Sequence, residues 1–299
     1  MKKKKTSLGD WIFNIFLGLF FTLFTLICIY PFYYLIINTI SANDISANGQ
    51  IMFLPKGIHF QNYIDVFKIP DLASAALVSL GRTVLGTIGA VLGAAYLGFM
   101  FTQQKMWARK FWYRFTIITM YFNAGLIPWS ITMRNLHLTN NFLAYILPAI
   151  VQPFNIILVK TYMESISPAL QEAAEIDGAS VMKVFMKIML PLAKPIMATI
   201  AIFAAVGQWN SFQDTLILMT KPALYTLQFL LYQYINQASS LAAMIKNGTV
   251  ISTSSLATMQ TPTSIRMTVS VVVILPILLV YPFFQKYFVK GIMIGSVKG

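Results

Sequence analysis

The sequence predicts an all-α integral membrane protein with six spanning helices. Of its 299 residues, 57% are hydrophobic and only 10% are charged, whereas charged residues make up about a quarter of a typical soluble domain. The mean hydropathy is +0.69. Since one bilayer span needs about 20 apolar residues, this length holds about six spans with their loops. We expect no large water-soluble catalytic domain beside them.

Long apolar runs divide the chain into a cytoplasmic N-terminus, 1–10, a membrane domain, 11–288, and a cytoplasmic tail, 289–299. The first run follows Lys2 to Lys5 and is longer than the apolar region of a secretory signal peptide, which has about 7 to 15 residues. We therefore interpret it as an uncleaved first span. The six predicted spans are 11–38, 77–102, 113–131, 142–163, 195–218 and 266–288.

The basic residues predict the orientation of the chain in the membrane. Most of the 22 Lys and Arg residues lie in the N-terminus, in 103–114, in 160–194 and in the C-terminus. Lys and Arg concentrate in cytoplasmic loops, so both termini are expected in the cytoplasm. The net charge of +13 follows from the same rule, because the basic residues form short clusters between apolar runs. We expect no nucleic-acid partner.

Several kinds of chemistry are missing from the sequence. It contains neither a G-x-x-x-x-G-K-S/T phosphate loop nor an H-E-x-x-H zinc motif, and its single cysteine, Cys28, excludes an intrachain disulfide. We predict a non-enzymatic chain that binds no metal and no cofactor of its own. Ion-coupled carriers usually need ionisable groups within their spans, and here Asp214 is the one acidic candidate. Energy is therefore expected to come from another subunit.

The segment 164–191 is too polar to span a membrane, yet its pattern predicts a helix–turn–helix on the cytoplasmic face. Ser167 followed by Pro168 is a helix-start signal, and Gly178 should end the first helix because glycine readily adopts a positive φ. The second helix should end at Pro191. Two functions fit this pattern, docking into a groove of a partner protein or lying on the lipid surface. The apolar stripe expected on the second helix consists of Val181, Phe185, Ile188 and Met189.

Three short motifs in this segment carry a specific resemblance. Glu172-Ala173-Ala174, Asp177-Gly178-Ala179 and Ile188-x-Leu190-Pro191 resemble the E-A-A…G…I-x-L-P coupling motif of permease subunits in binding-protein-dependent ABC importers. The likeness is strongest to the carbohydrate-uptake branch that includes the maltose system, and it extends from about Leu80 to the C-terminus. Segments 121–128 and 209–212 look like permeases that import complex oligosaccharides, the YtcP/LplC-like group.

The resemblance implies a membrane-spanning permease subunit that couples an oligosaccharide path to a separate ATPase. Its partners would be a second homologous permease, two copies of an ABC ATPase that hold ATP and Mg, and an external sugar-binding protein, in the lipid of a bacterial inner membrane. In such families the coupling helices sit in a cleft of the ATPase. A glycine-rich tail, here with Gly291 and Gly295, can reach between the ATPase subunits, although a frayed tail without function is the alternative. The residues expected to couple to the ATPase are Glu172, Ala173, Ala174, Asp177, Gly178, Ile188, Leu190 and Pro191.

Sugars are commonly bound by aromatic faces together with amide and carboxylate groups, because their C–H faces and hydroxyls require both. Side chains of these types inside the predicted spans are candidates for the substrate path, although each also fits bundle packing, interface anchoring or an interhelical hydrogen bond. A preference for neutral or acidic glycans stays open. So do two other functions, an ion-coupled secondary sugar carrier and a non-transporting membrane scaffold or sensor. The candidates are Tyr121, Asn123, Trp129, Asn155, Gln208, Trp209, Asn210 and Asp214.

Overall fold

The computed structural model describes residues 8–246 and 261–291, whose regular secondary structure is helical. This confirms the all-α class for the described part of the chain. Short 3-10 turns lie at Phe142–Tyr145 and Pro222–Leu224, and a π-helical turn lies at Phe185–Met189. The α-helices are α1 Leu8–Thr39, α2 Asn43–Ala47, α3 Gln61–Phe67, α4 Leu72–Met100, α5 Arg109–Tyr121, α6 Leu126–Asn135, α7 Leu147–Ile150, α8 Pro153–Glu164, α9 Pro168–Ile176, α10 Val181–Val184, α11 Leu190–Leu192, α12 Lys194–Asn210, α13 Gln213–Leu218, α14 Leu227–Lys246 and α15 Pro262–Gly291.

Three of the described helices are long and apolar enough to cross a bilayer by themselves, namely α1, α4 and the Thr263–Val280 part of α15. Two bent helix pairs add up to two more spans if each pair crosses as one unit. The first pair joins Phe142–Ile150 to Pro153–Glu164 at 41°, and the second joins Val181–Leu192 to Lys194–Asn210 at 78°. The described residues thus provide three to five candidate spans, and the count of six stays a prediction.

Three of the predicted spans contain a break, and one of these is the bent pair in 142–163. Region 113–131 includes the end of α5 and the start of α6, and region 195–218 includes α12 and α13. The backbone is extended at Phe122 and at Ser211, the residues that follow α5 and α12. Interrupted helices at membrane depth need polar partners for the backbone groups that the break frees. The side chains around these breaks are therefore of functional interest.

The chain divides into two compact units. The first comprises Met1–Ile69 and Tyr234–Val273, and the second comprises Pro70–Gln233 and Ile274–Gly299. The second unit contains the whole coupling segment and every predicted substrate-path candidate. The candidate functional residues therefore belong to one compact unit.

In the first unit, the polar segment after α1 is held by a buried hydrogen-bond network. Asn62 Nδ2 donates to the carbonyl oxygen of Thr39 and to Asn43 Oδ1, both at 2.9 Å. Ser46 Oγ donates to Asn38 Oδ1 at 2.7 Å. Because buried polar groups are costly when left without partners, this network fixes the segment against the end of α1.

In the second unit, the core is built around α4. Its small residues let neighbouring helices approach closely, as is common between membrane helices. A Cβ at Gly98 would lie 2.7 Å from Val159 Cγ1, and a Cβ at Gly93 would clash with the carbonyl oxygen of Ile150. The buried apolar cluster around α4 includes Ala94, Ala95, Phe99, Ile156, Val159, Val184, Phe185, Met189, Ile196 and Ile200.

Replacing Gly93 by alanine should destabilise the protein. The added Cβ would meet a backbone carbonyl oxygen, that of Ile150, which cannot rotate away as a side chain would, and overpacking of this kind costs about 1–3 kcal/mol. Gly18→Ala is the matched control, since a Cβ there has no neighbour within 4 Å and alanine favours helices over glycine. Thermal unfolding in detergent should show a lower Tm for Gly93→Ala alone. Equal Tm values for the two variants would contradict this packing.

Candidate functional site

The first arm of the coupling segment is α9, and its predicted limits are confirmed. The helix begins at Pro168, directly after Ser167, although the Ser167 side chain makes no capping hydrogen bond. It ends at Ile176, and Gly178 has a φ of +77°, in the left-handed region that glycine adopts at low cost. The amide N–H of Ala179 donates to the carbonyl oxygen of Ala174 at 2.9 Å. This bond closes the turn between the two arms.

The second arm, Val181–Leu192, is helical throughout and contains the π-helical turn. Of the four residues of the predicted apolar stripe, Phe185 and Met189 are buried, Ile188 is half-buried and Val181 is exposed. Val181 is the first residue of the helix, next to the turn, and the neighbouring Val184 takes its place in the core. The arm ends at Leu192, one residue after Pro191, and α12 follows at Lys194.

The residues expected to couple to an ATPase lie mostly on the surface of this segment. Glu172, Ala173, Asp177, Gly178 and Pro191 are exposed, whereas Ala174, Ile188 and Leu190 are half-buried. Ile176, which the sequence analysis did not select, is 86% exposed. The assignment of these residues to coupling stays a prediction.

A polar brace joins the first arm to the segment after α4. Gln171 Nε2 donates to Gln103 Oε1 and to Glu175 Oε1, both at 2.9 Å, and Lys105 Nζ lies 3.0 Å from Glu175 Oε2. The pKa of the Glu175 carboxyl is lowered by the hydrogen bond from Gln171 and then by Lys105. The contacts of ionised Glu175 therefore stabilise the folded state fully at any pH above the ordinary carboxyl pKa. This stabilisation is lost as the pH falls through the lowered pKa of Glu175. No motif in the sequence signals this brace.

Gln103→Ala should loosen the first arm. Gln103 is 8% exposed, and its loss removes the acceptor for Gln171, a hydrogen bond with a net value of about 0.5–1.5 kcal/mol. Amide hydrogen exchange of residues 168–176, followed by mass spectrometry, should become faster by up to about tenfold. Gln104→Ala is the control because Gln104 is exposed. Equal exchange rates in both variants would show that the brace does not hold α9.

A cavity of about 420 Å³ lies in the second unit and collects part of the predicted substrate path. Trp129, Asn155, Gln208 and Asp214 all line it, although they come from separate parts of the chain. Both polar and aromatic groups therefore reach one space, as sugar binding requires. The lining also includes Arg82, Tyr145, Gln152, Phe154, Phe203 and Ser211.

The other predicted substrate-path residues lie elsewhere. Tyr121 is 79% exposed, and Asn123 Oδ1 accepts a hydrogen bond from the amide of Gly125 in the break between α5 and α6. Trp209 lines a separate apolar pocket of about 160 Å³. Asn210 Oδ1 accepts from the Gln228 side chain at 3.2 Å. These residues do not line the cavity.

Among the cavity residues that the sequence analysis did not select, Arg82 is the charged one. The positive-inside rule uses it only as a charge. Its side chain is 2% exposed. It donates from Nη2 to Asp214 Oδ2 at 2.5 Å and from Nη1 to Asp214 Oδ1 at 3.1 Å. Nε donates to Gln208 Oε1 at 3.0 Å, and the guanidinium lies 4.3 Å from the centre of the Tyr145 ring. Arg82 is the one charged residue in the apolar run 77–102. A charged residue inside a span indicates a functional site, so this position could have been selected from the sequence.

Comparison with known proteins identifies the family. Residues 89–294 match the family described as "Binding-protein-dependent transport system inner membrane component". The chain belongs to this family. It is 31% identical to the polygalacturonan/rhamnogalacturonan transport system permease protein YtcP of Bacillus subtilis (strain 168), over 96% of this chain and 99% of that protein. It is 35% identical to Protein LplC of the same organism, over 91% of this chain and 90% of that protein.

A solved structure supports the same assignment. The crystal structure of a bacterial ABC transporter involved in the import of the acidic polysaccharide alginate contains a similar chain, with a TM-score of 0.81 and 28% identity. The match covers 96% of this chain and 100% of that chain. Together with the family match, it confirms the expected ABC-importer permease fold. The chain is thus a multi-pass membrane component of a transport system.

Proposed function

We propose that this chain is the permease subunit of an ATP-driven importer of oligosaccharides in a bacterial inner membrane. It pairs with a second permease, two ATPase subunits and an external sugar-binding protein. The observation that carries the proposal is that one helix, α12, directly follows the coupling segment and also contributes Phe203, Gly207 and Gln208 to the cavity. The similarity to YtcP and to the alginate importer supports the substrate class.

Energy enters through the coupling segment. The exposed Glu172 and Ile176 lie on α9, and the turn at Gly178 fixes the angle between the two arms. Such a helical hairpin fits a groove of a partner protein. When the ATPase closes on ATP, it displaces the hairpin, and the hairpin moves α12. The free energy of ATP binding thereby changes the relative populations of the cavity conformations.

The cavity offers both kinds of contact that a sugar needs. Trp129 provides an aromatic face, and Asn155 provides an amide that makes no hydrogen bond within the described part of the chain. The charges of Arg82 and Asp214 neutralise each other at 2.5 Å. This half of the path therefore recognises hydroxyl groups and ring faces, and the partner permease lines the other half.

The deciding experiment is uptake by the complete complex in proteoliposomes. Labelled oligogalacturonides, alginate oligosaccharides and maltooligosaccharides are offered with and without internal ATP and the sugar-binding protein. ATP-dependent uptake of at least one class is expected. Uptake that follows a proton or sodium gradient without ATP would establish the secondary carrier instead. Partner binding without any flux would establish the scaffold.

Glu172→Lys and Gly178→Val should uncouple ATP hydrolysis from uptake. Lysine reverses the charge on the docking surface, and valine cannot hold the positive φ of +77° at position 178 without a cost of about 1–2 kcal/mol or more. Gly178→Asn is the matched control, because asparagine tolerates this conformation. The ratio of sugar imported to ATP hydrolysed should fall for the first two variants and stay near wild type for the third. Wild-type ratios in Glu172→Lys and Gly178→Val would contradict the coupling role.

Asn155→Ala should weaken oligosaccharide handling. Asn155 is 8% exposed and lines the cavity, so its loss removes a hydrogen bond to a passing sugar, with a net value of about 0.5–1.5 kcal/mol. The sugar concentration at half-maximal uptake should rise by up to about tenfold, with ATPase activity retained. Asn135→Ala, at an exposed amide outside the cavity, should leave uptake unchanged. The same concentration dependence in both variants would remove Asn155 from the path.

A further inference from the structure

Arg82 contacts three elements, α4, α12 and α13, at the break between the last two. It lies on α4, its Nε contacts Gln208 near the end of α12, and its Nη1 and Nη2 contact Asp214 in α13. Nη1 also donates to the carbonyl oxygen of Ser211 at 3.2 Å, a backbone group in the gap between α12 and α13. One guanidinium thus bridges both sides of a broken helix pair and fastens them to α4.

The partners of Arg82 are themselves fixed. Gln208 Nε2 donates to the carbonyl oxygen of Tyr145 at 3.1 Å, so both polar atoms of its amide are occupied. Asp214 Oδ1 also accepts from Ser211 Oγ at 3.1 Å and from the Thr215 amide at 2.9 Å. Two residues that the sequence assigns to the substrate therefore serve a structural network in this conformation. A networked, bidentate arginine–carboxylate pair resists displacement more than a single hydrogen bond does.

We propose that Arg82 is a positioning residue for transport. It holds the α12–α13 break against α4 in the conformation described, and the coupling hairpin must work against this hold when it moves α12. The inference rests on the proposed ATP-driven import. It goes beyond that function because it states that one cavity side chain, Arg82, determines how strongly ATPase activity depends on sugar.

The arrangement along the chain explains how Arg82 acts at a distance. The helix α12 starts at Lys194, two residues after the hairpin ends at Leu192, and it reaches the Arg82 contacts at Gln208 and Ser211. A movement of the hairpin passes through the 78° bend between Leu192 and Lys194 and then along α12 to the point where Arg82 holds it. Without the Arg82 contacts, the hairpin moves more easily when no sugar is present. The ATPase then hydrolyses ATP in the absence of sugar.

The test compares ATPase activity with and without the sugar-binding protein and its sugar, in complexes with the double variant R82Q/D214N. This variant removes the ion pair without leaving one buried charge unpaired, which single variants do. The expected result is a several-fold rise in basal ATPase activity, with less sugar imported per ATP. The control is D65N/K68Q, which removes an ion pair within one short surface segment and should leave basal activity at the wild-type level. Co-purification measures assembly of each complex.

The outcomes separate a positioning role from a merely structural one. If the only role of Arg82 is to neutralise the buried charge of Asp214, R82Q/D214N keeps the wild-type dependence of ATPase activity on sugar. That result overturns the proposal. If that variant fails to assemble, Arg82→Lys decides the question, because lysine keeps the charge but loses the forked donor geometry. A raised basal rate in Arg82→Lys supports the proposal and a wild-type rate overturns it. Absence of ATP-dependent uptake by the wild type refutes the proposed function itself, whereas wild-type uptake with unaltered basal activity in the variants refutes only the role of Arg82.

Discussion

A cation buried among apolar helices must be neutralised and fully hydrogen-bonded, and this constraint organises the second unit. The cost of an uncompensated buried charge is several kcal/mol, so the side chains around Arg82 have little freedom. Asp214 supplies the counter-charge, Gln208 and Ser211 supply further acceptors, and the Tyr145 ring covers the guanidinium face. The α12–α13 break contributes to this compensation, because the freed carbonyl oxygen of Ser211 is one of the acceptors.

The close approach of α4 to its neighbours makes this network possible. A Cβ at Gly86 would lie 2.6 Å from Gln208 Nε2, so only glycine leaves room for the amide that Arg82 contacts. Gly86 follows Arg82 by four residues and therefore lies on the same face of the helix. The small residues of α4 thus have two effects. They let the apolar surfaces of α8 and α12 pack, and they admit the polar side chains that compensate the buried charge.

Local features of the coupling segment could be predicted from the sequence, and long-range features of the cavity could not. The limits of α9 depend on Pro168 and Gly178, whose effects act within a few residues. Arg82 and Asp214 are separated by 132 positions, and no periodicity relates them. The exposure of Val181 and the interruption after Tyr121 depend equally on tertiary packing. Gly295 lies outside the described residues and Gly291 is the last residue of α15, so the tail assignment stays a prediction.

The length of α12 also bears on how such a protein can diversify. Its 17 residues span about 25 Å, which places the hairpin at one end and the cavity wall at the other. A mutation at the Arg82 end of this helix is therefore expected to affect the hairpin as well. Cavity residues on other helices, such as Asn155 on α8, lie outside this connection. Selection can therefore alter the accepted sugar at those positions while leaving the proposed docking surface intact.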